Sequence, residues 1–555
     1  MADSAPRMTF FGKLVSLALI GGLVYFGWQM LQGKKVQIPG LSPSSAQEET
    51  QPQGAEVSEV QAEVPTLAPP AAFELKADSI VPIEISEYAG YAGLIAANGG
   101  LDPSPTSLFT RYCGCKVKLS ISEEESWSAL NSGKLAGSVT TTDVLAVYGR
   151  QFKVKVPAQI GFSRGADGLV VRNDIKRVNA LRGKVVAAAQ FTETDFFIRY
   201  LAQEAGLGTT MLSSLDAAPN PDRLNIVYTD DGFAAGDLFL SDLNGAGKLA
   251  GAMTWEPKTS EVVTKGAGKA RLLTSNKNLL IIADILVLNQ GFAEQHPKVV
   301  EGIVRGLLEG NRLVRDNPEA QADLVGRAFK WTPQQTRAEL AKVHLANLPE
   351  NLAFFNGSID AAGSFGGIFQ SAIYAYGSDL IKDPADPSRF FDGAALQAAE
   401  KSGAFKDQKV AIAPIKSGTA GSVENDPLLS KDIRFLFQPN SAVLDQGQQS
   451  NLQSLEAIKQ LLTVSPGSTI LLRGHVDNSL VEDFRKKGGE AFVRQMALKA
   501  VELSRDRAGE IQKLLVQKYG VDGKRIEIVG RGWDEPAGPD PDQNRRVEVQ
   551  WFTLE

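Results

Sequence analysis

The sequence predicts an α/β protein of several domains with one transmembrane helix near its N-terminus. Three observations lead to this prediction. The 555 residues are too many for one hydrophobic core. Short runs rich in β-branched residues alternate with amphipathic segments over most of the chain. An uncharged segment of 18 residues, Leu14 to Leu31, stands near the start.

The composition is that of an ordinary globular protein, with 43% hydrophobic and 22% charged residues. The net charge of -6 argues against a nucleic-acid partner, because such partners usually demand a basic face.

The uncharged segment is long enough to span the hydrocarbon core of a bilayer. Arg7 and Lys13 precede it, and Lys34 and Lys35 follow it. A cleaved signal peptide is the alternative, but the segment is long for one and no small-x-small cleavage site follows it. We therefore expect an uncleaved membrane anchor over residues 1–35.

Two linkers divide the rest of the chain. Residues 36–78 are rich in Pro, Glu, Gln, Ser and Ala without an apolar period, which predicts a disordered tether. Residues 79–395 predict an α/β domain whose ligands bind at the C-terminal ends of strands. A second linker over 396–429 precedes a small α+β domain over 430–555.

Six runs of the larger domain are predicted strands because of their β-branched residues: VPIEIS, KVKLSI, GLVVRN, KVVAAAQ, LNIVY and IIADILVLN. Two segments between them, TDFFIRYLAQEAGL and PKVVEGIVRGLLEGNRLVRDN, are predicted amphipathic helices.

The two cysteines, Cys113 and Cys115, lie in RYCGCKVKL. On an alternating strand they would point the same way, and a bridge between them would be strained, so we expect small, partly buried strand residues. A redox or metal role is the alternative, although no second Cys/His cluster completes a site. Cysteine usage leaves the compartment open.

Strand-to-helix junctions carry the candidate ligand residues. Thr192 and Thr194 follow one strand, where hydroxyls and backbone N–H groups can hold an anion, and plain helix capping is the alternative. Thr140 and Thr141 stand at a second junction with the same two interpretations. Tyr88 flanks the loop after the first strand, where aromatic residues often line ligand pockets.

Acidic residues at these junctions leave the charge of a ligand open. Glu193 and Asp195 accompany the threonines of one junction and can cap the helix or repel anions. Asp230 and Asp231 can bind a cationic group or form a solvated turn before Gly232.

Three stretches of the larger domain carry a family resemblance: PIEISEYAGYAGLIAANGGL (82–101), SRGADGLVVRNDIKRVNALRGKVVAAAQFTETDFFIRYLAQEAGL (163–207) and LAGAMTWEPKTSEVV (249–263). In this order and spacing they resemble ABC-type periplasmic solute-binding proteins of the nitrate/sulfonate/taurine group. The resemblance implies two α/β lobes joined by crossover strands that close on a small solute. It favours an anion, and the acidic residues leave an amine-bearing or neutral ligand open. It adds Trp255 and Glu256 to the candidate residues and an ABC transporter permease to the expected partners.

Five motifs in order occupy the C-terminal domain: RFLFQPNSAVL, GHVD, LSRDRA, GRGWDEP and NRRVEV. The set closely resembles the OmpA-like peptidoglycan-binding domain. In that family the aspartate of GHxD and the arginine of LSxxRA hold the diaminopimelate of the stem peptide, which assigns Asp477 and Arg507 to this contact. Their opposite charges suit a zwitterion. Asn544 and Arg545 match a motif that borders the site.

This chain departs from the family pattern in two ways. Ala500 stands where the family has Asn, and the segment between Asp477 and Leu503 is longer than the family norm. We expect this insert to extend the loop or add a helical turn beside the pocket. His475 shares a strand face with Asp477, but the resemblance gives the binding role to Asp477 alone.

No GxSxG, Walker or HExxH motif is present, so we expect no enzyme, no cofactor and no metal. Peptidoglycan lies outside the inner membrane, which predicts a single-pass inner-membrane protein with its bulk in the periplasm. The first hypothesis is a wall-attached solute-binding protein that feeds an ABC importer or reports a solute to another envelope complex. The second is a structural envelope protein whose binding-protein fold is ligand-free.

Overall fold

The computed structural model describes residues 56–122, 126–357, 363–412, 427–438, 441–465 and 467–552. The predicted membrane helix, Leu14 to Leu31, lies outside these ranges. Within them, no helix is both long enough and apolar enough to cross a membrane.

The strands of the described ranges follow in chain order: β1 (Ile80–Ile85), β2 (Lys116–Ile121), β3 (Gly137–Thr141), β4 (Val154–Ser163), β5 (Asp167–Arg172), β6 (Val185–Ala189), β7 (Thr209–Met211), β8 (Leu224–Thr229), β9 (Leu249–Trp255), β10 (Ala270–Ser275), β11 (Ala283–Asn289), β12 (Val343–Leu345), β13 (Leu429–Ile433), β14 (Thr469–Gly474), β15 (Ile526–Gly530) and β16 (Val547–Phe552). All six predicted strands are present, as β1, β2, β5, β6, β8 and β11.

The α-helices follow in the same way: α1 (Ala92–Asn98), α2 (Leu108–Cys113), α3 (Trp127–Asn131), α4 (Thr142–Tyr148), α5 (Glu193–Glu204), α6 (Gly232–Leu243), α7 (Lys258–Lys265), α8 (Gln290–Gln295), α9 (Pro297–Asp316), α10 (Pro318–Phe329), α11 (Pro333–Leu340), α12 (Leu348–Asn356), α13 (Phe365–Tyr376), α14 (Ala394–Lys401), α15 (Gln449–Val464), α16 (Val481–Tyr519) and α17 (Pro541–Asn544). The two predicted amphipathic helices are α5 and α9.

Two six-stranded mixed sheets form the two lobes. The first lobe has the order β12–β4–β11–β3–β1–β2, in which β3, β1 and β2 are parallel. The second has the order β10–β5–β9–β6–β8–β7, in which β9, β6, β8 and β7 are parallel. In both lobes the remaining strands are antiparallel to their neighbours. The two-lobed α/β architecture that the resemblance implied is therefore present.

Close packing of helices on these sheets explains the apolar strands. All five residues of β6 are buried, as expected where helices cover both faces of a sheet. In the first lobe α9 lies directly against α1, because a Cβ on Gly310 would lie 2.0 Å from the carbonyl oxygen of Gly93. Only glycine allows the two backbones to approach this closely.

Two segments connect the strands of one lobe's sheet to those of the other: residues 164–166 join β4 to β5, and residues 276–282 join β10 to β11. Asn276 ties the crossings together: its Oδ1 accepts from the backbone N–H of Gly165 (2.8 Å) and Asp167 (3.2 Å), and its Nδ2 donates to Asp167 Oδ2 at 3.2 Å. We refer to residues 164–166 and 276–282 as the crossing segments.

The C-terminal domain contains a four-stranded sheet of order β13–β16–β14–β15, with Trp551 fully buried at its centre. It contacts the second lobe through Asn179, whose side chain exchanges two 2.9 Å hydrogen bonds with the backbone of Ser430. It also contacts a crossing segment, since Leu280 N–H donates to the Val464 carbonyl at 2.6 Å.

The described part of the first predicted tether is bound to both lobes. Gln61 pairs with Gln190 of the second lobe through two hydrogen bonds of 2.8 Å. Further along, Leu67 N–H donates to Gln151 Oε1 of the first lobe at 2.7 Å. Residues 61–67 therefore span from one lobe to the other rather than standing free.

The described part of the second predicted linker also begins as folded chain. It contains most of α14, and Phe405 after it is buried. The Asn347 side chain donates to the Lys409 carbonyl at 2.7 Å. Residues up to 411 therefore belong to the first lobe's packing, whereas residues 413–426 lie outside the described ranges.

The two cysteines differ from the prediction. Cys113 ends α2, Gly114 adopts a left-handed conformation (φ 68°), and Cys115 precedes β2. Because the two residues flank a turn and do not share a strand, their sulfurs meet, and they form a disulfide with Cα atoms 5.1 Å apart. The expectation of separate strand thiols is wrong.

We expect Asn289→Ala to destabilise the chain by about 2–4 kcal/mol, because it would leave several buried groups unpaired. The Asn289 side chain accepts from Phe73 N–H (3.0 Å) and donates to the carbonyls of Ala71 (2.8 Å) and Leu130 (2.9 Å). Thermal melting measures the effect. The exposed Asn244→Ala serves as control and should melt within a degree or so of wild type; equal melting of both variants would contradict the prediction.

Candidate ligand-binding sites

The two lobes face each other across a cleft with a cavity of about 320 Å³, near the lower end of the range for ligand pockets. We call the part next to the crossing segments the cleft floor. Asp167, the first residue of β5, and Asp284, in β11, both lie there beside Ile282. The two carboxylates are therefore placed where the lobes join.

The wall from the first lobe is formed at the carboxyl ends of β1 and β3, which meet at one edge of the sheet. Tyr88 and Tyr91 pack edge to face with ring centroids 5.2 Å apart, and the Tyr91 hydroxyl donates to Asp284 Oδ1 at 3.3 Å. Thr140 and Thr141 end β3 and line the same cavity. The structure thus brings the predicted residues Tyr88, Thr140 and Thr141 together.

The wall from the second lobe includes the start of α5. Thr192 caps this helix by accepting from Thr194 N–H at 3.3 Å, and it also lines the cavity. The Thr194 hydroxyl turns inward, accepts from Ala189 N–H at 3.0 Å and is buried. Helix capping therefore accounts for Thr192, and Thr194 lies behind the cleft wall.

Asp195 lies within the second lobe, away from the cleft. Its Oδ1 accepts from Arg199 Nε at 2.7 Å and from the Tyr228 hydroxyl at 3.0 Å, and both charged side chains are buried. Arg199 is therefore neutralised inside the lobe.

Trp255 and Glu256 have different positions. Trp255 ends β9, packs against Phe233 at 5.1 Å between ring centroids, and lines the cavity. Glu256 does not: it accepts from Ser260 Oγ at 2.7 Å and forms a 2.7 Å ion pair with Lys342, which precedes β12 of the first lobe. Glu256 thus joins the lobes beside the cleft.

Six carboxylates line the cavity, together with a larger number of hydroxyl side chains. The carboxylates are Glu84, Asp167, Glu193, Asp230, Asp231 and Asp284. The fully buried Asp143, at the start of α4, lies behind Thr141 and acts electrostatically on Asp284.

Burial makes these carboxyl groups hard to ionise. It raises the pKa of Asp143 to about 7 and that of Asp167 to about 6. Burial, and then the neighbouring Asp167, raises the pKa of Asp284 well above its ordinary value. Burial of the cleft floor therefore disfavours the ionised forms of these groups, and a positive charge placed beside them would favour those forms.

Several buried polar atoms that line the cavity have no hydrogen-bond partner of good geometry in the described structure: the hydroxyls of Tyr88, Thr140, Thr141 and Ser163, and Asp284 Oδ2. Buried polar atoms are normally satisfied, so such a group of exceptions needs an explanation. A ligand that occupies the cleft would supply the missing partners.

Sequence reasoning missed Asp167 and Asp284 as site residues. One signal was available for Asp284, which interrupts the apolar run IIADILVLN with a carboxylate. A buried acid inside a strand demands a partner, and none is adjacent in the sequence.

A second pocket, of about 550 Å³, lies in the C-terminal domain and is lined by Asp477, Arg507 and Arg545. Arg545 Nε is 3.5 Å from Asp477 Oδ2. Arg507 lies over the Phe437 ring at 5.0 Å from its centroid and donates to the Ser441 carbonyl at 3.2 Å. Three of the four predicted wall-binding residues thus meet in one pocket.

Arg507 is held in a partly dry position. Burial, and then the positive charge of Arg545, lowers its pKa, while Asp477 acts in the opposite direction. An anionic group placed between the two arginines would relieve their repulsion, and a cationic group would complement Asp477.

Asn544, the fourth predicted residue, supports the pocket without lining it. It is buried, accepts from Ala537 N–H at 2.7 Å and donates to the Gly538 carbonyl at 2.9 Å. Its role is to order the loop that precedes Arg545.

Most of the insert is helical, which is more than the predicted loop or single turn. It forms the first part of α16, where two helical segments meet at a break at Gly488–Gly489. Leu480, Phe484 and Met496 of this region line the pocket, and Phe484 packs against Trp533 at 6.2 Å between ring centroids. The insert therefore gives the charged pocket an apolar wall.

The buried His475 belongs to a cluster with the partly exposed Glu535 and Glu548, and the ligand atoms of the three lie within 4.8 Å of one another. Arg473 already occupies the space between the carboxylates, with ion pairs of 2.7 Å to Glu535 and 2.6 Å to Glu548. The cluster is therefore an ion-pair network rather than a metal site.

Comparison with known proteins identifies the C-terminal domain. Residues 436–550 match the OmpA family, which confirms the predicted OmpA domain. No curated protein matches the chain.

Among solved structures, the chain is similar to the periplasmic aliphatic sulphonate-binding protein SsuA from Escherichia coli (17% identity, TM-score 0.42, covering 56% of this chain and 97% of that one). It is also similar to the periplasmic nitrate-binding protein NrtA from Synechocystis PCC 6803 (13% identity, TM-score 0.43, 60% and 91%). A third similar structure is the desulfurization enzyme DSZB (14% identity, TM-score 0.39, 58% and 99%).

We expect Asp143→Asn to stabilise the ligand-free chain above pH 7 by about 2–4 kcal/mol. The folded-state pKa of Asp143 is raised to about 7, so the folded state holds a proton that the unfolded state releases near pH 4. Wild-type stability therefore falls as pH rises through this window, whereas the amide does not titrate.

Melting temperatures between pH 4 and pH 8 test this expectation. The difference in melting temperature between Asp143→Asn and wild type should increase up to about pH 7 and then stay constant. The exposed Asp379→Asn is the control and should follow wild type. Parallel profiles for Asp143→Asn and wild type would contradict the expectation.

Proposed function

We propose that this protein binds a small solute in the interlobe cleft and attaches to peptidoglycan through its C-terminal domain. The observation that carries the solute-binding part is the interlobe cavity itself, which is lined by several buried polar atoms that make no hydrogen bond of good geometry. Binding sites commonly leave such atoms for a ligand to satisfy.

Wall attachment is supported by the chemistry of the second pocket. Diaminopimelate carries an ammonium group and a carboxylate at one end. Asp477 accepts hydrogen bonds from the ammonium group, and the guanidinium of Arg507 forms a forked pair with the carboxylate. Arg545 adds positive charge on the same side, and the apolar wall of the insert contacts the methylene chain of the stem-peptide residue.

The location proposed for these activities is the periplasm. The segment Leu14 to Leu31 would anchor the chain in the inner membrane, and the wall-binding domain would hold the cleft between membrane and wall. In this position the protein delivers its solute to an ABC transporter permease or reports it to another envelope complex.

The family resemblance favours a small anion as the solute. The cleft offers an anion the hydroxyls of Thr140, Thr141 and Thr192, but it places them among carboxylates.

We expect Asp477→Ala and Arg507→Ala each to weaken co-sedimentation with purified sacculi by roughly 10- to 100-fold in affinity, the effect of losing a charge-assisted hydrogen-bonded pair. The full-length chain in a nonionic detergent is mixed with sacculi, and the bound fraction is measured against sacculus concentration.

Asp483→Asn and Arg485→Ala are matched controls, because both residues lie on the insert and neither lines the pocket. Both should sediment as wild type does. If the pocket variants also sediment as wild type does, the assignment of Asp477 and Arg507 to wall binding is wrong.

A further inference from the structure

Five of the six carboxylates that line the cleft accept hydrogen bonds from neutral partners. Asp284 accepts from the Tyr91 hydroxyl, Asp167 from the amide of Asn276 (3.2 Å), and Asp231 from Ala234 N–H (2.7 Å).

The remaining contacts of this kind follow the same pattern. Glu84 accepts from the hydroxyl of Ser126 at 3.0 Å, and Asp230 accepts from that of Ser58. None of these hydrogen bonds cancels a negative charge.

Basic side chains are missing from the lining. Among the described residues that line the cavity there is no Lys, Arg or His. The basic groups nearby are engaged elsewhere: Arg199 with Asp195, and Lys342 with Glu256 and Glu339. A bound anion would meet carboxylates with no cation to offset the repulsion.

Aromatic rings surround the same cavity. Tyr88, Tyr91, Trp127, Tyr148 and Trp255 all line it. The faces of tyrosine and tryptophan attract ammonium groups, and the attraction is strongest where water is excluded.

The carboxylates are arranged for an extended ligand rather than a single metal ion. In the described part of the chain, the one group of three or more His, Cys, Asp or Glu ligand atoms within 4.8 Å is that of His475, Glu535 and Glu548, in the C-terminal domain. The cleft carboxylates are instead spread over the floor and both walls.

We infer that the solute of the interlobe cleft is a small organic cation that carries an ammonium group. Its charge lies at the cleft floor between Asp167 and Asp284, with Tyr88 and Tyr91 against it, and its remaining atoms contact the walls. This inference rests on the proposed solute-binding function and reverses the sign of the solute that the family resemblance favours.

Isothermal titration of the full-length chain in a nonionic detergent tests the inference. One set of probes is tetramethylammonium, choline, putrescine and phenethylammonium chlorides. The other is sodium nitrate, methanesulfonate, taurine and sulfate, and sodium chloride controls for ionic strength. We expect at least one cation to bind with one-to-one stoichiometry and no anion to bind.

Variants connect binding to the cleft. Asp284→Asn should weaken binding of the same cation by roughly tenfold or more. Asp230→Asn, at the exposed rim of the cleft, should weaken it by a smaller factor. Asp230→Asn keeps the test valid should the buried substitution unfold the lobe. Asp379→Asn, which is exposed and does not line the cavity, should bind as wild type does.

The outcomes separate the two proposals. Binding of an anion with no binding of any cation overturns the inference and leaves the solute-binding function intact. A cation whose affinity is unchanged by both cleft variants also overturns it. No binding of either set contradicts the proposed solute-binding function itself.

Discussion

Asn276 holds together the two segments by which the chain passes between the lobes. One side-chain amide accepts two backbone N–H groups and donates to the Asp167 carboxylate, all within the buried crossing. This tie holds the start of β5 next to the segment that leads into β11. It therefore helps to position Asp167, the first residue of β5, and Asp284, near the start of β11. The geometry of the cleft floor depends on this tie together with the pairing of β11, which places Asp284 opposite Thr141 of β3 and Gly161 of β4.

The floor that results is energetically unfavourable when empty. Burial raises the pKa values of the carboxyl groups there. Several buried polar atoms beside them also lack a hydrogen bond of good geometry. Such an arrangement persists only where the surrounding packing over-determines it, and two well-packed lobes provide that packing. The contrast with Asp195 is instructive, because that buried carboxylate has Arg199 as a partner. A buried arginine neutralises Asp195 inside the second lobe, whereas the described residues that line the cleft include no basic side chain.

The sequence was sufficient for the features that depend on local pattern. The β-branched runs predicted six strands, and Thr192 sits at a helix start where hydroxyl residues cap. Features that depend on distant pairing were not predictable. Glu256 faces Lys342 only because β9 and β12 lie across the cleft from each other, and the two cysteines bridge because Gly114 makes a turn.

The stretch from Gln61 to Leu67 has a mechanical consequence. Its ends are hydrogen-bonded to Gln190 of one lobe and Gln151 of the other. Fully extended, residues 61–67 reach no farther than about 20 Å. Their length therefore limits how far the cleft can open at this edge. Since the same segment continues toward the N-terminus, a pull on that end would be felt first at Ser58, which is hydrogen-bonded to the Tyr228 carbonyl and to Asp230 on the rim of the cleft.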